Sequence, residues 1–478
     1  MLTANKQMLV VFLVFLFVLL AGGAAVFLLA SPEPPHATPA VEGAPGIGDS
    51  YYPTLGNGGY DVQNYAIMME VDPSTNNVNS STTITANATE SLSSFNLDFH
   101  GLTVDSIQVN GMEADYSRSG DELTITPAAP LEANKPFTTI VQYHGSPETI
   151  SSAGLPGMGW SHGDSGVINV WGEPEAASTW FPSNNHPRDK ATYRFEITVP
   201  DPWMVAATGT LKETRPNEGK TTFIWEMDKP MATYLASINI DQYDLDTRNG
   251  PDETKIRNYF PKDFPESSRS DFAALPTMIE FFVNYFGPYP FSNYGVVIAG
   301  EDGLCQTSQI ALETQTLSIH CPSEAMTSEW VTTHELAHMW FGDSVSLENW
   351  QDIWLKEGFA TYASWMWASK NDPGTLAGIA QEARSHFFDT EVSVAQPSPD
   401  NLYSGESYTG GALVLYALKQ EVGEETFFKI LQTYAERYRY GNAGTDDFIA
   451  VAEQVSGRDL TPFFDAWLFA ESLPQLPE

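Results

Sequence analysis

The sequence predicts an α+β protein in two parts, a β-rich domain over residues 59–245 and an α-rich domain over residues 246–478. In the first part apolar side chains recur at every second position, as in "FNLDF", "YRFEITV" and "FIWEM", and this period indicates half-buried strands. Asn110-Gly111 is typical of a two-residue hairpin turn. In the second part the apolar period becomes helical. The chain of 478 residues, 42% of them hydrophobic, is long enough for both cores.

Four segments of the second part carry the helical pattern, and more helices are predicted to follow toward the C-terminus. Two others, "SNYGVVIAG" and "TQTLSI", have the pattern of strands and predict a small sheet among the helices. The predicted helices span Ser267–Phe286, Glu324–Phe341, Trp350–Ser369 and Gly410–Glu421.

The N-terminus carries a long uncharged segment, Met8–Ala30. Its 23 residues are enough to cross a bilayer as a helix. Lys6 precedes it and the next basic residue is Arg118, so the positive-inside rule predicts export of everything that follows. Residues 1–30 are therefore expected to be a transmembrane anchor in a single-pass cell-membrane protein with an extracytoplasmic body. A signal peptide cleaved from a secreted protein is the alternative.

Residues 31–58 are rich in Pro, Gly, Ala and Ser, and this composition predicts a flexible linker. The formal net charge of −38, from 61 acidic and 23 basic residues, argues against nucleic-acid binding, which needs a basic face. Cys305 and Cys321 are the two cysteines of the chain, and in an exported protein they predict a disulfide bond. Two buried thiols are the alternative.

The stretch "VTTHELAHMWFGD" holds two histidines, His334 and His338, one helical turn apart. This spacing lets both imidazoles reach one metal ion, and Glu335 between them can serve as a base in the same cleft. A partly exposed helix with two ordinary histidines is the alternative for this stretch alone.

A downstream glutamate favours the metal site. Glu357 lies in "QDIWLKEGFATYASWMW", a helical and otherwise apolar segment, with 18 residues between it and His338. A carboxylate in such a helix is costly to bury without a partner, and a zinc ion is a sufficient partner. Two histidines and one glutamate are three protein ligands, which leaves a fourth position open as in catalytic zinc sites.

The segments "HELAHMWFGD" and "WLKEGFATY" resemble the zinc signature of the aminopeptidase N type of zinc aminopeptidases, gluzincin metallopeptidases that also include the leukotriene epoxide hydrolase. The resemblance covers nearly all of residues 59–477. It implies an N-terminal β-sandwich or saddle-like domain, a thermolysin-like catalytic domain and one Zn²⁺ per chain. Long members continue into a helical domain that roofs the active site, so this chain resembles a short form, with a cleft that is open unless a dimer or another partner covers it.

Three further segments extend the resemblance. In "IALET" the glutamate Glu313 falls on the family's substrate-amine ligand, although Ile310 and Thr314 depart from the family pattern. In "WGEPEAASTWFPSNNHP" Glu173 falls on the second amine ligand, with Glu175 close by. In "YTGGALVL" Tyr408 falls on the catalytic tyrosine.

The expected function is hydrolysis of the first peptide bond of substrates with a free N-terminus. The resemblance implies that zinc is bound by His334, His338 and Glu357, with Glu335 as the base and Tyr408 as the donor to the carbonyl oxygen. A zinc endopeptidase of the same clan is the nearest alternative, and it would not need Glu313 and Glu173. A catalytically silent peptide-binding protein on this scaffold is the other.

Overall fold

The alternating segments of the first half form strands, as predicted. The computed structural model describes residues 39–152, 154–387 and 393–476. In the strand Ala191–Pro200 every second side chain is buried. Asn110 and Gly111 have φ angles of 51° and 76° and join two antiparallel strands through a two-residue turn. Both observations confirm the predicted β-rich domain, and the hairpin shows why a glycine follows the asparagine.

Three sheets make up this part, with four, eight and five strands. The strands are β1 (Val41–Glu42), β2 (Tyr60–Asp72), β3 (Asn77–Ala88), β4 (Leu92–Asp98), β5 (Thr103–Val109), β6 (Met112–Glu113), β7 (Asp115–Ser119), β8 (Glu122–Thr126), β9 (Pro136–Gly145), β10 (Thr149–Ser152), β11 (Leu155–His162), β12 (Ile168–Trp171), β13 (Ala191–Pro200), β14 (Met204–Ala207), β15 (Thr210–Asn217), β16 (Lys220–Met231) and β17 (Ile238–Asp241). Their spatial orders are β1-β4-β8-β7, β15-β16-β13-β2-β3-β9-β5-β6 and β10-β11-β12-β17-β14. The five-stranded sheet matters most for the site, because Glu173 follows β12 by one residue.

A fourth, six-stranded sheet opens the second part. Its strands are β18 (Tyr243–Asn249), β19 (Lys255–Pro261), β20 (Asn293–Tyr294), β21 (Val296–Ile298), β22 (Ala311–Leu312) and β23 (Ser318–His320). Their order is β18-β19-β21-β23-β22, and β20 also pairs with β19. The two predicted strand segments form β20, β21 and β23. Glu313 comes directly after β22, the edge strand of this sheet. A final two-stranded ladder joins β24 (Ser346–Leu347) to β25 (Asn442–Ala443).

Helices dominate the rest of the chain. They are α1 (Glu266–Arg269), α2 (Leu275–Phe286), α3 (Leu304–Thr307), α4 (Glu329–His338), α5 (Trp354–Ala368), α6 (Pro373–His386), α7 (Gly411–Val422), α8 (Glu424–Arg437), α9 (Thr445–Ser456) and α10 (Thr461–Phe464). Short 3₁₀ turns span Ala176–Thr179, Thr233–Leu235, Pro251–Glu253, Ser270–Ala274, Trp350–Asp352 and Pro399–Asn401, and π-helical turns span Glu406–Gly410 and Asp465–Phe469. In α5 every side chain from Trp354 to Trp367 is buried, which makes it the central helix.

Three of the four predicted helices have shorter bounds, and the fourth, predicted over Gly410–Glu421, is shifted by one residue to Gly411–Val422. The helix predicted from Glu324 begins at Glu329, because the Ser328 side chain caps it by accepting from the backbone N–H of Val331. The helix predicted from Trp350 begins at Trp354 and is preceded by a 3₁₀ turn. The long helix predicted from Ser267 is divided by another 3₁₀ turn into α1 and α2.

Residues 40–58 are packed and bonded, so the prediction of a flexible linker over 31–58 is wrong for this stretch. Strand β1 pairs with β4. The buried Asp49 carboxylate accepts a hydrogen bond from the backbone N–H of Trp350 at 2.8 Å and contacts His186 Nε2 at 3.0 Å. Composition indicated only the lack of a regular period. It did not show that one aspartate anchors the irregular backbone to both parts of the chain.

The predicted disulfide between Cys305 and Cys321 is present. It closes a loop over a sequence separation of 16 residues that contains β22, β23 and most of α3. Closing a loop of this length stabilises the fold by roughly 3 kcal/mol in the chain-entropy model. The bond therefore braces the strand that presents Glu313.

The predicted transmembrane segment Met8–Ala30 lies outside the described residues. Within the described ranges, no helix is both long and apolar enough to cross a membrane. The chain from Ala40 onward clusters as one unit, and the predicted boundary at residue 245 falls inside β18. The exact domain boundaries therefore stay predictions.

Candidate metal centre and peptide cleft

Helices α4 and α5 bring the three predicted metal ligands together. Glu357 Oε2 lies 3.2 Å from His334 Nε2 and 3.7 Å from His338 Nε2. The two imidazole rings, one turn apart on α4, have centroids 4.8 Å apart. Sequence spacing placed the histidines on one face, and the packing of α5 against α4 supplies the carboxylate.

The donor set fits a zinc ion. One potential ligand atom from each of His334, His338 and Glu357 lies within 4.8 Å of the others. His338 Nδ1 contacts the backbone oxygen of Phe341 at 3.1 Å, and donation of a proton there leaves Nε2 as the free ligand atom. Two imidazole nitrogens and one carboxylate oxygen are a set that zinc favours, and they leave a position for a reacting group.

Glu335 lies beside this group. Its side chain is buried, and a carboxylate oxygen of Glu335 lies within 4.8 Å of ligand atoms of Glu313 and His338. Burial raises the pKa of the Glu335 carboxyl well above that of an exposed glutamate, and the carboxylates of Glu313 and Glu357 raise it further. A carboxyl group in this environment is suited to exchanging protons.

The other predicted residues reach the same place from three separate elements. Glu173 follows β12, Glu313 follows β22, and Tyr408 lies in the π-helical turn before α7. The Tyr408 ring stacks on the His334 ring with centroids 5.7 Å apart and planes 12° apart. All seven predicted site residues, His334, His338, Glu357, Glu335, Tyr408, Glu313 and Glu173, line one small cavity of about 80 Å³.

The structure separates Glu173 from its neighbour Glu175. Glu173 faces the metal group, whereas Glu175 lines a different cavity together with Asp98 and Glu122. The family resemblance favours Glu173, but spacing and periodicity do not separate the two glutamates, because two residues in an irregular loop can point to either side.

Sequence reasoning missed Lys356, which is fully buried at the centre of the site. Its ammonium contacts Glu173, Glu313 Oε1 at 2.6 Å and Glu357 Oε1 at 2.8 Å. Burial alone lowers the pKa of Lys356, but the carboxylates, first those of Glu173 and Glu313, outweigh burial and hold this pKa well above the ordinary lysine value. The signal was available: a lysine directly before Glu357 in an otherwise apolar helix also needs a charged partner.

Lys356 orders the carboxylates on both sides of it. Glu357 directs Oε2 toward the histidines and Oε1 toward the lysine, so the ion pair fixes the orientation of the carboxylate. The ammonium also lies between Glu173 and Glu313, whose like charges would otherwise repel each other in a buried space. We infer that Lys356 holds the three glutamates in one arrangement.

A helix that carries H-E-x-x-H, with a carboxylate as the third ligand at hydrogen-bond distance, is the signature of metal-dependent proteases. Residues 61–235 match the Peptidase M1 N-terminal domain, and residues 272–467 match the Peptidase family M1 domain. The chain therefore belongs to peptidase family M1.

Curated relatives and solved structures agree with this membership. The chain is 28% identical to Aminopeptidase M1-A of Oryza sativa subsp. japonica over 335 residues, which cover 63% of this chain and 37% of the rice protein. It is 25% identical to Leucyl aminopeptidase of Saccharolobus solfataricus over 404 residues, 80% of this chain and 50% of that protein. The chain thus spans half or less of the length of these relatives.

An M1 zinc metallopeptidase from Deinococcus radiodurans has a similar structure. Its TM-score is 0.83 at 28% sequence identity, and the match covers 91% of this chain and 99% of that chain. A variant of the same metallopeptidase has been solved with a Tyr-Ser-Ala substrate bound.

Proposed function

We propose that this chain is a zinc aminopeptidase, which removes the N-terminal residue from peptides with a free amino terminus. One observation carries the proposal: two buried glutamates, Glu173 and Glu313, share a small cavity with the metal-binding group. A metal group alone would suit any metalloprotease. Carboxylates beside it give an amino terminus a place to bind one residue from the scissile bond. The matched relatives are themselves named aminopeptidases.

The residues His334, His338 and Glu357 would hold the zinc ion. Zinc in such a site supplies Lewis-acid activation of water and of the substrate carbonyl. The protein presents two neutral imidazoles and one ionised carboxylate to the ion. The contact of His338 Nδ1 with the backbone oxygen of Phe341 leaves Nε2 of this imidazole free. The contact of Glu357 Oε1 with Lys356 favours the ionised form of the carboxylate.

Four other side chains act on the substrate and on water. Glu335 takes a proton from the attacking water and delivers it to the leaving amine. The Tyr408 hydroxyl donates a hydrogen bond to the carbonyl oxygen as negative charge develops there. Glu313 and Glu173 accept hydrogen bonds from the substrate ammonium and thereby fix which bond is cut.

A panel of fluorogenic aminoacyl amides tests the proposed function. We expect the zinc-loaded protein to hydrolyse amides with a free amine, to lose this activity with a chelator and to regain it with added zinc. Cleavage confined to internal bonds of longer peptides would assign the protein to the endopeptidases instead. Peptide binding without any turnover would indicate a silent binding protein.

The ligand assignment has its own test in His338→Ala. We expect about one zinc equivalent in the wild type and a clear loss of zinc in the variant, because two protein ligands hold the ion less tightly than three. Metal analysis of purified protein measures this. His144→Ala is the matched control, since His144 is exposed and contacts Asp105, and it should keep the wild-type zinc content. Full activity in a zinc-free preparation would contradict the assignment.

We propose further that Met8–Ala30 tethers the enzyme to the cell membrane with the catalytic region outside the cytoplasm. The length and lack of charge of this segment support the tether, and a disulfide between Cys305 and Cys321 suits an oxidising compartment. We expect the full chain to stay in carbonate-washed membranes and a chain beginning at Ser31 to leave them. Recovery of a soluble wild-type protein whose N-terminus lies near residue 30 would instead indicate cleavage and secretion.

A further inference from the structure

Two cavities of very different size meet at the metal-binding group. The smaller, of about 80 Å³, is lined by all seven predicted site residues. The larger, of about 910 Å³, includes only His334, Glu335 and Tyr408 from that set. The larger cavity therefore adjoins the reacting centre, but it is not lined by Glu173, Glu313, His338 or Glu357.

This asymmetry gives a bound peptide a direction. The ligand atoms of Glu313, Glu335 and His338 form one close group, and those of Glu173, Glu313 and Glu357 form another. If the substrate amine lies at Glu173 and Glu313, the first residue occupies the smaller cavity. The chain beyond the scissile bond then has to enter the larger one.

Helix α4 sets the chemistry of the larger cavity. Trp330 lies one turn before His334 on the same face of this helix, at a distance of about 6 Å along the helix axis. Trp330 is 41% exposed, which is a larger exposed fraction than that of any other tryptophan among the described residues. A large exposed aromatic side chain that lines a cleft is a favourable surface for an apolar ligand.

Other apolar side chains continue this surface from three directions. Trp365 comes from α5, Ile379 from α6, and Met326 from the segment before α4, and all three line the larger cavity. Phe387 follows α6 and lines it as well. Glu382 is also part of the lining, and its negative charge makes the cavity unfavourable for an acidic side chain.

We propose that the larger cavity selects a bulky apolar second residue, an aromatic one above all, in peptides with a free N-terminus. This proposal rests on the aminopeptidase function proposed above and names the substrate class of that site. A volume near 910 Å³ is at the upper end for small-ligand sites and accommodates an aromatic side chain together with the residue that follows it.

The test compares Ala-Phe-Ala, Ala-Leu-Ala, Ala-Gly-Ala and Ala-Asp-Ala as substrates of the zinc-loaded full chain. We expect kcat/KM for Ala-Phe-Ala to exceed that for Ala-Gly-Ala at least about tenfold, since burying an aromatic side chain removes a large apolar area from water. Ala-Asp-Ala should be the poorest of the four. Equal values for the phenylalanine and glycine peptides would overturn the proposal, while leaving the aminopeptidase function intact.

The variant Trp330→Ala should reduce the Ala-Phe-Ala to Ala-Gly-Ala ratio toward one. The ratio is the readout because a partial loss of folded enzyme affects both peptides equally. Leu245→Ala is the matched control: Leu245 is 47% exposed on β18 and does not line the cavity, so its variant should keep the wild-type ratio. A wild-type ratio in Trp330→Ala would show that this tryptophan does not bind the second residue.

Equilibrium binding makes the test independent of turnover. The zinc-loaded Glu335→Gln variant, titrated with the same peptides in a calorimeter, should bind Ala-Phe-Ala at least about tenfold more tightly than Ala-Gly-Ala. If the wild type hydrolyses no peptide but this binding ratio is found, the result contradicts the proposed aminopeptidase function and still supports the proposed specificity of the larger cavity. Equal affinities would reject the cavity proposal itself.

Discussion

Replacing Glu335 by glutamine leaves zinc bound and lowers kcat by at least about 10²–10⁴-fold. The glutamine keeps the shape of the side chain but cannot accept the proton of the attacking water, and that proton transfer contributes a factor of this size. Zinc stays because the ion is held by His334, His338 and Glu357, whose ligand atoms form a close group without Glu335. Metal analysis and steady-state kinetics on the same preparation measure the two effects.

Glu436→Gln is the matched control for this change. Glu436 is exposed on α8, away from the residues that line either cavity, so its variant should retain both zinc and activity. Loss of zinc together with activity in Glu335→Gln would show that Glu335 is a ligand instead of a base. Nearly unchanged activity would mean that another group moves the proton.

The metal-binding group could be predicted from sequence for two reasons. The spacing of its histidines is local, and a glutamate buried in an apolar helix is energetically unfavourable without a partner. His334 and His338 share a face by helical geometry, and Glu357 needed a partner in an apolar helix. The alternating strands were also predictable from a local pattern, because successive side chains of a strand point to opposite faces and one face is buried.

Three features were not obtained from local patterns. Without the family resemblance, the choice of Glu173 over Glu175 depends on a loop conformation that only tertiary packing determines. The docking of residues 40–58 depends on long-range contacts of Asp49 with His186 and Trp350, which have no local signature. Lys356 left a signal, but a lysine next to a glutamate is read by default as a solvated pair.

N-terminal acetylation of a peptide lowers kcat/KM at least about 10²-fold, an effect of about 2.8 kcal/mol. A free amine brings a positive charge to Glu173 and Glu313, whereas an acetylated peptide leaves their free oxygens buried without that partner. Leaving a buried charge without its partner is strongly unfavourable. The comparison of Ala-Phe-Ala with its N-acetyl form measures the effect.

Lys356 limits the size of this effect. Its ammonium already contacts Glu313 Oε1 and Glu173 Oε1, so an acetylated substrate does not leave either carboxylate wholly unpaired. The sequence alone predicted two carboxylates with no internal counter-ion. The second oxygen of each glutamate remains for the substrate. The single positive charge of Lys356 does not neutralise Glu173, Glu313 and Glu357 together, so the cluster keeps a negative charge that attracts an ammonium.

The variant Glu313→Gln assigns this discrimination to its residue. The glutamine fills the same space without the charge, so we expect a lower rate on the free peptide and a smaller ratio of free to acetylated substrate. Glu173→Gln should act in the same direction, because Glu173 lines the same cavity and contacts the same lysine. Glu175→Gln is the matched control: its carboxylate lines a separate cavity, and the ratio should stay at the wild-type value. A wild-type enzyme that hydrolyses acetylated and free peptides equally well would be an endopeptidase, and a ratio that falls only in Glu175→Gln would place the amine at the neighbouring glutamate.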